Sequence, residues 1–320
     1  MLKTQSTLAL SILMISLGLT ACHKPNPKNT EKPVDESAVS QVPDTPLLLQ
    51  GSTEKLKVNL PECRGNSCPE FSIDRLQSNQ PFVDEIIDQA ILDNLEHILE
   101  ITELNKAKKE IDKHQTTEQL AASATVTQTA TQKLQEQVQP YVTSFLALHK
   151  ELQNLGASSQ INVTLSPKIL NSDLPLATVV LNTSSYLGGA HGSSAQTYFN
   201  FDLKAKKQVT LDQIIESNQK AKLNLLAHDA FKVWVIDSKL ADNVAEYEQA
   251  WKFTLSKNFY LGKQGLILQY GEYEIGPYVV GLPRLTIPYS QLKGVLKPQY
   301  FPANMQVDQP SISIAQATNK

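Results

Sequence analysis

Residues Tyr186 to Leu203 read YLGGAHGSSAQTYFNFDL and place His191 two residues before Ser193 and three before Ser194. A histidine beside serines supplies two parts of a nucleophilic hydrolase: the imidazole takes the hydroxyl proton, and a carboxylate orients the imidazole. That carboxylate has to come from elsewhere in the chain. Gly188, Gly189 and Gly192 surround the histidine. A phosphate cradle would need a strand–loop–helix context with a Lys-Ser/Thr ending, whereas a strand-like run follows here. The residues therefore read as a wide turn between two strands, whose glycines permit positive φ or close backbone approach and whose His191 bonds across the turn. A binding edge built on Gly189 and His191 is the functional alternative, and catalysis is the third.

A second stretch, EYEIGPYVVG from Glu272 to Gly281, poses the same choice. Glu272 and Glu274 could serve as a glycosidase pair, but only their separation in space would decide that. Gly276-Pro277 forces a turn. Tyr270, Tyr273 and Tyr278 read first as packing the loop against the sheet; as rings with polar tips, a residue type enriched at recognition surfaces, they also offer a binding reading. There is no H-E-x-x-H and no G-x-S-x-G, and histidines 23, 97, 114, 149, 191 and 228 never stand three or four apart as metal ligands commonly do. No metal and no cofactor are expected, and a non-enzymatic role is preferred.

The amino terminus sets the compartment. An apolar run from Leu8 to Leu19 is too short to span a bilayer as a permanent helix and reads as the core of a signal peptide. It ends in Leu19-Thr20-Ala21-Cys22, which resembles the lipobox of bacterial lipoproteins and implies lipidation at Cys22. His23, rather than aspartate, follows the cysteine, so the expected location is the outer membrane, lipid-anchored and facing the periplasm or the surface. Removing residues 1–21 takes away Lys3 and no acid, so the formal charge of -3 becomes -4. A mildly acidic chain without a Lys/Arg cluster gives no support to a nucleic-acid role. Cys63 and Cys68 flank Arg-Gly-Asn-Ser, and in an oxidising compartment they are expected to pair as a disulfide; a metal reading lacks further nearby ligands.

The elements that must position these residues follow in order. Residues 22–55 are rich in Pro, Lys, Glu and Ser and read as a disordered tether. Phe71–Asp74 reads as a strand broken at Asn79-Gln80-Pro81, and Phe82, Ile86, Ile87, Ile91, Leu95, Ile98 and Leu99 have helical spacing. Between residues 82 and 105 this helix carries Asp84, Glu85, Asp88, Asp93, Glu96, Glu100 and Glu103 and no lysine or arginine. The pattern reads as a solvated face, with a docking surface for a cationic partner, centred on Glu96 and Glu100, as the alternative. A polar segment over 106–135 leads to a second helix through Val138, Val142, Phe145 and Leu152, closed by Gly156. Beyond it the chain is mostly β. TYFNFDL is expected to turn Phe199, Phe201 and Leu203 inward and Tyr198, Asn200 and Asp202 outward. A helix from about Gln219 to Ile236, a hairpin around Gly262–Gly265, a strand in RLTIPYS and a terminal helix complete the reading. The regions are a signal peptide (1–21), a tether (22–55), a strand and helical region (56–157), a C-terminal domain (158–302) and a disordered tail (303–320).

The motifs YLGGAHG, FNFDL, QVTLDQII, YEIGPY and TIPYS, in this order over roughly residues 160–300, resemble the C-terminal domain of RsiV-like proteins, a domain of unknown function in envelope lipoproteins. The resemblance implies an α+β fold, with a mixed or antiparallel sheet flanked by helices. In RsiV-like anti-sigma factors the domain binds lysozyme, and in other chains it is appended to a polysaccharide deacetylase. The present sequence has neither a cytoplasmic part to hold a sigma factor nor a deacetylase domain, so recognition is what carries over. The expectation is a binding lipoprotein whose partner is a lysozyme-like cationic protein or peptidoglycan. The alternatives are a peptidoglycan- or glycan-acting enzyme and a purely structural envelope protein. Gly189, His191, Tyr273, Tyr278, Glu96 and Glu100 are the candidate binding residues.

Overall fold

A computed structural model describes residues 47–63, 67–99, 128–156, 160–173 and 175–305. Cys22, the signal segment, Glu100 and residues 306–320 lie outside the described residues. The fold is mixed α+β, with a six-stranded sheet and a second sheet of three strands.

Strand β1 (Gly51–Lys55) lies antiparallel to β2 (Glu70–Ser78) at one edge of the large sheet. In β2, Phe71 and Ile73 point inward in alternation, and the strand ends where Asn79-Gln80-Pro81 begins. Helix α1 (Pro81–Leu99) opens on a proline, whose missing N–H is no loss in the first turn. Both oxygens of Asp84 accept from the Ser78 N–H, tying the strand end to the helix start. Helix α2 (Ala130–Asn154) begins at a capping box, in which Thr129 Oγ1 accepts from Gln132 N and Gln132 Oε1 accepts from Thr129 N. The chain then returns as β3 (Asn162–Asn171), parallel to β2. Parallel neighbours need a long crossover, and α1 and α2 lie within it.

Strands β4 (Ala177–Tyr186), β5 (Ser193–Asp202) and β6 (Lys207–Gln208) continue as an antiparallel meander. The helices pack on the sheet through one apolar core that includes Ile73, Ile87, Leu95, Val142, Phe145 and Phe201. The Phe71 and Phe145 rings are 5.2 Å apart, and Phe82 meets Phe201 edge-on at 5.9 Å. Truncating Phe145, which is fully buried, to alanine should cost about 3–5 kcal/mol.

A second core follows in sequence. It is built from α3 (Leu211–Ile214), α4 (Lys220–Asp237), α5 (Val244–Ala250) and the small sheet of β7 (Phe259–Leu261), β8 (Gly265–Gln269) and β9 (Arg284–Pro288). On α4 the buried residues Leu223, Ala227, Phe231 and Val235 recur every four positions and make a single stripe. The β7–β8 hairpin closes where Gly262 N donates to Gly265 O.

Polar side chains join the two sheets. Asn258 Oδ1 accepts from Tyr198 N while its Nδ2 donates to Gln196 O, as a neighbouring strand would do along β5. Buried Asn200 donates to Phe259 O and accepts from Thr178 Oγ1.

Several expectations change. The tether does not run to residue 55, because Leu49 is buried and Gly51–Lys55 form β1. Apart from Leu176, which belongs to the second core, the cores divide the chain between Leu203 and Val209 rather than at residue 158, since β2 and β3 share one sheet. The polar face of TYFNFDL is not solvated: Tyr198 and Asn200 are buried because the small sheet covers that side of β5. Asp84 and Asp88 leave the solvated face of α1, the first to hold Ser78 and the second to pair with Arg75. Instead of a terminal helix, β9 leads into short 3₁₀ turns at Tyr289–Gln291 and Pro298–Tyr300, with Gly294 at positive φ between them.

Candidate functional site

The β4–β5 connection holds His191, and the loop after β8 holds Tyr273 and Tyr278; the fold brings these three rings together although more than eighty residues separate them. The His191 and Tyr278 rings stack at 4.0 Å, and Tyr273 lies 6.0 Å from His191 and 5.8 Å from Tyr278. Gly192 O faces His191 Nδ1 at 2.9 Å, so Nδ1 carries the proton. On the other side of the ring, Tyr273 Oη lies 2.9 Å from Nε2, within hydrogen-bond distance. Tyr278 Oη also donates to Gly192 O, at 3.1 Å.

The backbone is shaped for this arrangement. Gly188 has φ +90, a region that favours glycine, and a Cβ there would also press on Leu152 of α2. Gly276 is packed so closely that a Cβ would lie 2.7 Å from Tyr247 Oη, whose hydroxyl donates to Ile275 O. This fixes the base of the loop that carries both tyrosines. At its exposed end Tyr273 has φ 62, unusual for a bulky residue, and its side chain is half exposed. Gly189 is exposed, has no positive φ and makes no close approach, so nothing in the structure explains the glycine there.

The carboxylates are committed to hydrogen bonds. Glu272 Oε1 accepts from Ser194 N at 2.9 Å and Oε2 accepts from Ser193 Oγ at 3.1 Å, clamping the tyrosine loop to the start of β5. Glu274 accepts from Gly271 N and closes its own turn. The hydrolase arrangement is therefore not assembled, because the carboxylate holds the serine while the histidine faces a backbone carbonyl and a tyrosine. Among the described residues no group of three His, Cys, Asp or Glu side chains is placed to hold a metal ion.

The other candidates lie apart from the rings. Tyr270 is fully buried and donates to Thr254 O, and burial pushes its hydroxyl pKa well above the ordinary value; it belongs to the core. Glu96 is half-buried on α1. Cys63 and Cys68 are joined as a disulfide with Cα atoms 5.7 Å apart. The Glu272 clamp was not foreseen, because a hydrogen bond spanning nearly eighty residues leaves no local pattern.

Residues 201–290 match the family model of a protein of unknown function, DUF3298. The matched segment contains most of the second core, Glu272, Tyr273 and Tyr278, while His191 and the two serines precede it. A crystal structure of a DUF3298 family protein from Pseudomonas aeruginosa PAO1 is similar at 27% identity and a TM-score of 0.54, covering 81% of this chain and 98% of that one. A second, from Bacteroides fragilis, is 19% identical with a TM-score of 0.50, covers 79% of this chain and 94% of that one, and bears on the fold alone. Among curated proteins, the peptidoglycan-N-acetylmuramic acid deacetylase PdaC of Bacillus subtilis is 23% identical over 159 residues, 48% of this chain. The chain spans about a third of that relative's length. Among the described residues no helix is long and apolar enough to cross a membrane.

Proposed function

We propose that this protein is an RsiV-like recognition module of the bacterial envelope, lipid-anchored at Cys22 in the outer membrane, that binds a cell-wall component through the His191–Tyr273–Tyr278 surface without catalysis. The observation that carries the reading is Tyr273. A bulky side chain held at positive φ costs about 1–3 kcal/mol, and such strain concentrates at functional sites. Tyr273 packs into neither core and stands half exposed beside two other rings. Ring faces accept the apolar C–H face of a sugar, while hydroxyl tips engage its hydroxyl groups. PdaC acts on peptidoglycan according to its name, which supports a cell-wall partner.

The test compares Tyr273→Gly with the unaltered chain. Glycine relieves the strain, so thermal stability should hold or rise, while co-sedimentation with purified peptidoglycan sacculi should weaken roughly tenfold, the equivalent of one lost aromatic contact. A variant that loses stability and still pellets with sacculi overturns the proposal.

A second reading, a lysozyme-like cationic partner, is favoured by the net charge of -3 and by exposed Glu85 and Asp93 on α1. Long-range attraction would raise the association rate and fade with salt. Calorimetry against lysozyme at low salt decides it: no heat at high micromolar protein removes this partner.

A further inference from the structure

Arg284 stands on the face of the small sheet that turns away from α4. Leu285 and Ile287 of β9 are buried in the second core, so Arg284 and Thr286 alternate to the other side. The strand register puts Tyr260, Ile267 and Thr286 in one cross-strand row of that face, and Gln269 with Arg284 in the next.

Three neutral acceptors hold the guanidinium. Nε donates to Gln269 Oε1 at 2.8 Å, and Nη2 donates to Gln196 Oε1 and, at 3.3 Å, to the Tyr198 hydroxyl. The two amides are themselves fixed. Gln269, which is 1% exposed, donates through Nε2 to Tyr270 O and Pro283 O, and Gln196 donates through Nε2 to Asn182 Oδ1. Both amide oxygens are thereby turned toward Arg284 before any ligand arrives, so binding would cost the arginine little rotamer freedom. Among the described residues no carboxylate pairs with Arg284. Of the five N–H donors of a guanidinium, the two on Nη1 meet no acceptor there.

Tyr260 brings a second idle donor. Its ring stacks on Tyr198 at 4.5 Å, and its hydroxyl has no hydrogen-bond partner among the described residues. Burial raises the pKa of the Tyr198 hydroxyl above its ordinary 10, against the pull of Arg284 and with a contribution from Tyr260. Tyr198 therefore stays neutral and leaves the charge of Arg284 uncompensated.

We propose that Arg284 Nη1 and the Tyr260 hydroxyl, on either side of Tyr198, bind a carboxylate group of a ligand. One fixed positive charge with a neutral donor beside it matches a single negative charge. A phosphate dianion is better met by several cations or by the N-terminus of a helix, and this face offers neither. The site lies apart from the His191 rings, and the envelope reading enters only through the probes. These are N-acetylmuramic acid, whose lactyl group carries a carboxylate, and a peptidoglycan stem tetrapeptide, which carries carboxylates and no sugar.

NMR titration of the full chain, followed at the Gln269 side-chain amide, reads this site and not the ring surface, so its outcome is separate from that of sacculus binding. At least one probe should shift that signal saturably with a Kd below about 10 mM, and the probe that does so identifies the source of the carboxylate. Amidation of that probe's carboxylates should weaken binding at least tenfold, the loss expected for a charge-assisted contact. Arg284→Gln should weaken it by a similar factor, and Tyr260→Phe, which keeps the ring stack, roughly fivefold. The absence of a saturable shift with both probes overturns the proposal, as does equal affinity for the acid and its amide or for inorganic phosphate.

Discussion

Glu272 should act as a latch for the tyrosine loop, and Glu272→Ala tests this directly. Its carboxylate receives the Ser194 N–H at 2.9 Å and the Ser193 hydroxyl at 3.1 Å. A hydrogen bond to a charged acceptor contributes about 1.5–3 kcal/mol when sheltered. Both serines are exposed and Glu272 is only half-buried, so water replaces much of each bond and the pair should contribute about 1–2 kcal/mol. That corresponds to roughly 5- to 30-fold faster hydrogen exchange at the Ser194 amide if opening of the latch limits exchange. Neither core is touched, so the melting temperature should fall by less than about 4 °C. Glu272→Gln keeps one acceptor oxygen and should give an intermediate rate. Unchanged Ser194 exchange in the alanine variant would show that the carboxylate does not hold the loop, and the ring cluster would then need another explanation for its geometry.

Four further outcomes are expected. Asp88→Ala leaves the Arg75 guanidinium, only 6% exposed, without its partner and should destabilise the fold by about 3–5 kcal/mol in urea titrations; a loss under 1 kcal/mol would mean that water reaches the site. Burial raises the pKa values of Asp84 and Asp88 above the ordinary 3.8, so the folded chain holds these protons more tightly than the unfolded chain; their contribution to stability should decline as pH rises through that window, and an Asp88→Asn comparison showing a growing contribution would reverse the sign. Cys22→Ala should abolish lipid labelling and leave unprocessed precursor, whereas normal labelling would end the lipoprotein proposal. Thiol labelling without reductant should miss Cys63 and Cys68, and reduction should cost about 2 kcal/mol or less for so short a loop.

Elements governed by one periodicity could be read from the residues. The α1 spacing through Ile87, Ile91 and Leu95, the hairpin at Gly262–Gly265 and the helix end at Gly156 all appear where their patterns place them. The start of α2 was equally available in Thr129 and Gln132, but the polar composition around them concealed it. Asn200 illustrates a different limit. Alternation assigns it to solvent, yet it is buried because a second sheet, distant in sequence, offers it hydrogen bonds. Asp84 and Asp88 were misplaced for the same reason, since charge pattern reports residue type and not the partner that a charge meets. His191, Tyr273 and Tyr278 could be singled out one by one as ring-bearing loop residues. Their convergence depends on tertiary geometry alone.

The side chain of Asn258 has a consequence for how the molecule behaves in a crowd. Beyond the two residues paired with β6 and Asn200 O, which accepts from Val209 N, β5 has no backbone neighbour on that side among the described residues, and an open row of peptide groups is a template for association with other chains. Asn258 occupies both the Tyr198 N–H and the Gln196 carbonyl, so one amide stops the ladder from extending into a second molecule. Because an amide does not titrate, this protection against aggregation is the same in acid and in alkali, and it is in place as soon as the small sheet docks on the large one.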